Sequence, residues 1–144
     1  MYRYLKYIPA GAFSAVVVCA ILYLTLTPQP LPPTDEISFE WFDKVGHFFM
    51  FGGLCFAMTF DFRLAAVRRP GSCRAARNWQ RQLWLALAAI ILGGLIELLQ
   101  MWMALGRTAE WADFAADVLG ALVFSFLSPF LVSYIIRCRS GNEE

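Results

Sequence analysis

Four long apolar runs dominate the chain, each bounded by polar or helix-breaking residues. The first, Ile8 to Leu26, follows a short basic start with Arg3 and Lys6. A secretory signal begins the same way, but its apolar core is only about 7–15 residues long. Val16, Val17 and Val18 stand before Cys19, where lipoprotein processing needs a small residue. The run therefore reads as an uncleaved anchor. The segment TPQPLPP, Thr27 to Pro33, ends it, because each proline lacks an amide donor and disfavours helix in the residue before it.

The remaining runs complete a pattern of four spans, at about 8–26, 44–66, 83–103 and 109–136. Backbone groups in lipid must be satisfied within their own segment, so each span is predicted to be a helix. Gly106 is placed to end the third and Thr108 to N-cap the fourth. Pro129 should kink or fray the last turns of the fourth. The predicted fold is an all-α membrane protein: one domain over 1–144, four transmembrane helices and both termini cytoplasmic.

Composition agrees. Of 144 residues, 59% are hydrophobic and 16% charged, against roughly 45–50% and about 25% in a soluble domain. No sizeable soluble catalytic domain fits. Net charge is only +1, but its distribution sets the orientation. Arg63, Arg68, Arg69, Arg74, Arg77 and Arg81 lie between spans two and three, and Arg3, Lys6, Arg137 and Arg139 fall on the same side. An excess of Lys and Arg marks the cytoplasmic face. The opposite side holds Asp35, Glu36, Glu40 and Asp43. Trp41, Trp102 and Trp111 fall at that outer interface, and Trp79 and Trp84 at the inner one.

This topogenic role accounts for the arginine-rich loop without a nucleic-acid partner. Cys19 and Cys55 lie within spans and Cys73 and Cys138 face the cytoplasm, so no outer disulfide is expected. Nothing in the sequence sets an oligomeric state.

The informative residues are those a lipid-facing helix should not contain: Lys44 and His47 in span two, Glu97 and Gln100 in span three, Asp113 and Asp117 in span four. A charged group at mid-membrane costs about 2.5–3.5 kcal/mol on insertion scales, so such residues face a bundle interior or wet cavity. Asp43 and His47 share a helix face, as do Glu97 with Gln100 and Asp113 with Asp117. All three pairs lie near the outer ends of their helices. Gly93, Gly120, and Gly53 with Ala57 continue the stripes and allow close approach of backbones.

Each residue has a structural and a functional reading. Asp43 suits the N-cap of span two, and Lys44 can snorkel to headgroups. His47, the single histidine, can be a structural hydrogen-bonding group or an acid, base or ligand near neutral pH. Glu97 is the deepest and the least explicable as packing. Arg107, in the turn before the fourth helix, has donors suited to a carboxylate or phosphate. Asp43, Glu97, Asp113 and Asp117 outnumber Lys44 and Arg107, which calls for a protonated carboxyl, a charged His47 or a cation. No local ligand motif supports a metal and no cofactor is implied.

DKVGHF at 43–48, ELLQ at 97–100, Arg107, and Asp113 with Asp117 and Gly120 behind it closely resemble the signature of the VanZ-like family of small bacterial membrane proteins. The resemblance spans residues from the second span to the fourth. It departs at Asp117, where the family usually carries Asn. The family takes its name from a protein of glycopeptide-resistance clusters associated with teicoplanin resistance. The resemblance therefore implies a multi-pass protein of the bacterial inner (cytoplasmic) membrane with an envelope role and an outward-facing polar site.

Three functions follow. In the first, the site binds an envelope component or lipid-linked precursor, with Lys44, Gln100, Arg107, Asp113 and Asp117 as binding residues. In the second, His47 and Glu97 are catalytic and share general acid/base work on such a molecule. No nucleophilic Ser or Cys stands in the cluster, which argues against acyl-enzyme chemistry. In the third, the cluster is interhelical glue.

Overall fold

A computed structural model describes residues 8–27, 39–68, 78–103 and 111–136. Every element in it is a helix: α1 (Ala12–Leu26), α2 (Phe39–Val67), α3 (Trp79–Met103) and α4 (Trp111–Ile135). Three of them, α2, α3 and α4, are long and apolar enough to cross a membrane. At 1.5 Å per residue α3 and α4 reach about 37 Å, beyond the roughly 30 Å of a hydrocarbon core.

The first span is shorter than expected. α1 has 15 residues, about 22 Å, which does not cross a typical core unaided. Its start is set by Gly11, whose φ of 89° is left-handed backbone that glycine adopts without strain. At the other end Thr27 is extended, as a residue before proline prefers to be. Thus the apolar run begins at Ile8 but the helix begins at Ala12.

The other boundaries also move, for identifiable reasons. α2 is already helical at Phe39, so Asp43 lies inside it and is not its N-cap. α3 begins at Trp79 rather than near 83 because the Asn78 side chain accepts the amides of Gln80 and Arg81 at 3.1 and 3.4 Å. Pro129 neither ends nor frays α4, which continues to Ile135. Gly106 and Thr108 lie outside the described residues.

The bundle is polar within and apolar without. Asp117 is 1% exposed and His47 2%, whereas Leu98, Phe126 and Trp84 are 57%, 64% and 69% exposed. A water-soluble domain does not expose so many large apolar side chains. In lipid the arrangement is the stable one, since charges move inward and hydrocarbon faces hydrocarbon. Exposed Trp41, Trp102 and Trp111 gather at one end, where interfacial aromatic rings prefer to sit.

Small residues set the helix spacing. At Gly120 a Cβ would collide with the backbone carbonyl of Phe48, so α4 and α2 approach here closer than any side chain permits. Gly93 brings α3 against α4: a Cβ there would lie 2.8 Å from Asp117 Oδ2 and 3.3 Å from Phe51 Cε1. Gly53 does not fulfil the same expectation and faces open space, while its neighbour Gly52 accommodates the Phe124 ring. Around these contacts Ile21, Phe51, Leu54, Cys55, Ala89, Ile96 and Ala121 form the apolar core.

Buried polar contacts hold α1 and α3 in place. Asp61 Oδ2 on α2 accepts the Ser14 amide at 2.8 Å and its hydroxyl at 2.7 Å, satisfying a donor in the first turn of α1. Near the C-terminal end of α1, the Thr25 carbonyl accepts Gln100 Nε2 at 2.8 Å. Thr59 Oγ1 on α2 lies 2.8 Å from the Cys55 carbonyl and 3.0 Å from the Gln82 side-chain amide of α3. Both partners are oxygens, the Gln82 one being Oε1, so the single Thr59 proton serves one of them at a time.

Candidate functional site

The start of α2, the end of α3 and the start of α4 meet at one end of the bundle, and the polar stripes meet with them. His47 Nδ1 lies 2.9 Å from Asp117 Oδ1, with side-chain exposures of 3% and 1%. With Asp117 ionised the carboxylate only accepts, and Nδ1 carries the proton and donates it. Nε2 is then the nitrogen available to act as base, acid or ligand. The close approach at Gly120 and the missing side chain at Gly93 let Asp117 reach this position.

Glu97 joins the pair from α3. One ligand-type atom each from His47, Glu97 and Asp117 lie within 4.8 Å of one another, and Glu97 is only 9% exposed. A second group of the same compactness contains Asp43, His47 and Asp113. His47 thus stands between two carboxylate sets. Each has the donors and span to hold a cation, although the sequence offered no local metal motif. His47, Glu97 and Asp117 come from three different helices, so no spacing along the chain reveals that set, whereas Asp43 and His47 stand four apart on α2.

Lys44 Nζ lies 3.6 Å from Asp113 Oδ1. The Lys44 side chain is 27% exposed and that of Asp113 9%, so the lysine lies toward the rim of the cluster and the carboxylate inside. Asp113 also stands in the first turn of α4, where the helix dipole favours a negative charge.

Lys44, His47, Glu97, Asp113 and Asp117 are therefore brought together, with Asp43 beside them. Gln100 is directed elsewhere, its amide nitrogen donating to Thr25 of α1. Arg107 lies outside the described residues. The sequence reading assigned no role to Asp61, Thr59 or Gln82, which are 5%, 4% and 2% exposed. An acid within an apolar run is a signal for Asp61 as plain as that for Glu97. Its position beside the arginine-rich loop hides it among interfacial charges.

A small helical membrane protein with a buried acid-histidine cluster is the class these features define. The model of the VanZ/LLP1 family matches residues 7–132, and the chain belongs to that family. No curated protein and no solved structure matches it.

Proposed function

We propose that this VanZ-family membrane protein lies in the bacterial cytoplasmic membrane with both termini inside. Its acid-histidine cluster then faces outward and binds an envelope component, a lipid-linked precursor bearing phosphate or carboxylate. The orientation rests on the arginine-rich segment between α2 and α3 and the acidic segment before α2. The observation that carries the binding reading is the meeting of His47, Glu97 and Asp117 within 4.8 Å, in a place where packing alone gains nothing from charge. Lys44, at the rim, is the cation an anionic headgroup meets first. The link to teicoplanin-type resistance and envelope homeostasis is an inference from family membership.

A second reading shares the same atoms. With Nδ1 of His47 held by Asp117, Nε2 and the Glu97 carboxylate make a general acid/base pair that turns a bound precursor over rather than only holding it. The pairs Lys44 with Asp113 and His47 with Asp117 also favour a third, in which charge serves to fasten α2 to α4.

Titration of the purified protein with a polyprenyl phosphate separates binding from fastening. Saturable binding that falls about tenfold in Lys44→Gln and His47→Asn, with melting unchanged, supports the site, since loss of one charge-assisted contact is worth about that much. Equal binding by the variants and the wild type contradicts it. A fall in melting temperature without any binding supports the fastening role.

A further inference from the structure

The opposite end of the bundle holds a second polar feature. Thr59 stands twelve residues beyond His47 on α2, about 18 Å along the helix axis. There α2, α3 and α4 border a shallow recess, lined in part by Thr59, Arg63, Arg81, Pro129 and Ser133. No carboxylate is among its described lining residues. Arg63 comes from α2, Arg81 from α3 and Ser133 from α4, so three helices each contribute a donor.

The fold holds this donor set in place. The Arg81 guanidinium carbon lies 4.4 Å from the centroid of the Phe62 ring, a cation-π contact that fixes its plane. Arg81 also occupies the first turn of α3 behind the Asn78 cap, so the positive end of that helix points toward the same end. Thr59 is already engaged with Cys55 and Gln82, which leaves Ser133 as the hydroxyl of the recess.

Two guanidiniums side by side repel, and an anion between them removes the repulsion. Arginine donates in pairs of parallel N–H groups that match phosphate oxygens. At the recess Phe62 is 49% exposed, and Ala66 and Val132 line it beside the arginines. They form an apolar surface on which acyl chains can lie. Basic recesses between spanning helices bind phospholipid headgroups for this combination of reasons.

We propose that the recess between α2, α3 and α4 is a binding site for the phosphate of an anionic phospholipid, gripped by Arg63 and Arg81 and hydrogen-bonded by Ser133. A purely topogenic role accounts for the arginines being at this end. It does not account for two of them converging with a hydroxyl on one recess.

The full-length protein, purified in detergent, is offered phosphatidylglycerol and phosphatidylcholine together, and retained lipid is read by native mass spectrometry. Preferential retention of phosphatidylglycerol is expected, falling about tenfold in Arg63→Gln and Arg81→Gln for the loss of a charge-assisted pair. Arg68→Gln, at the same end but outside the recess, should retain the wild-type preference. Ser133→Asp keeps both arginines and places a carboxylate between them, so it should abolish the preference even if an arginine variant folds poorly. Sources are separated by adding inorganic phosphate or glycerol 3-phosphate. Failure to displace the lipid supports the phospholipid, and displacement at low concentration overturns the lipid in favour of a soluble phosphate at the same donors. An unchanged preference in the Arg63→Gln/Arg81→Gln double variant, or an equal loss in Arg68→Gln, overturns the site itself.

Discussion

Nδ1 of His47 and Oδ1 of Asp117 lie 2.9 Å apart, joining α2 to α4 where both side chains are shut away from the surface. The resemblance drawn from the sequence makes asparagine the expected residue at position 117, and this chain has Asp there. An asparagine can keep the acceptor, but it cannot keep the charge.

Replacement of Asp117 should separate these two properties. Asp117→Asn retains an oxygen for the Nδ1 proton and removes a buried charge, so melting of the purified protein should stay close to that of the wild type. Asp117→Ala strands the imidazole donor and should cost about 1–3 kcal/mol. If Asn destabilises as much as Ala, the fold needs the ion pair itself and the shape of the hydrogen bond is secondary.

The α2 and α4 backbones meet at Gly120, where a Cβ would strike the Phe48 carbonyl, and backbone cannot rotate aside as a side chain can. Gly120→Ala should therefore destabilise by about 1–3 kcal/mol. Gly53→Ala, introduced into open space within a helix, should be neutral or gain up to about 1 kcal/mol. Thermal melting of the two variants checks this, and the reverse order would contradict the α2-α4 packing.

Asp61 is expected to hold α1 against the bundle, since it accepts both the amide and the hydroxyl of Ser14. Asp61→Ala should lower stability by about 1–3 kcal/mol through the abandoned amide. Ser14→Ala loses only the hydroxyl contact and should cost less. Equal losses, measured by melting, would mean that the hydroxyl and not the helix end is the important partner.

Orientation can be tested on positions in the two connecting segments. Single cysteines at Ser38 and Ser72, in a cysteine-free background, should respectively accept and refuse an impermeant thiol reagent added to intact cells. The opposite labelling would move the acid-histidine cluster to the cytoplasmic face.

Much of the helical pattern was legible because lipid enforces it: backbone in an apolar run long enough to span must satisfy its own polar groups, which a helix does. Lys44, His47, Glu97, Asp113 and Asp117 were legible for the same reason, as charges that must turn inward. The length of α1 was not. The apolar run extends to Ile8, but Gly11 adopts left-handed backbone and cuts the helix at Ala12. Nor was the partner of Gln100, which shares a helix face with Glu97 yet donates to α1. Periodicity gives a side chain's direction to within a face, and tertiary packing selects which neighbour on that face it meets. The pairing of Asp61 with Ser14 crosses 47 positions of sequence, and no local pattern encodes it.

The central claim is that the cluster around Glu97 serves a ligand. Its most direct test is the glycopeptide susceptibility of cells carrying Glu97→Gln at normal membrane abundance and normal melting temperature. Glutamine keeps the shape of the side chain and removes its charge, so the fold should survive while a charge-dependent site should not. An altered susceptibility in these folded, fully abundant variants is the predicted result, shared by His47→Asn. Wild-type susceptibility in both would contradict the claim and leave the cluster as a fastening between helices.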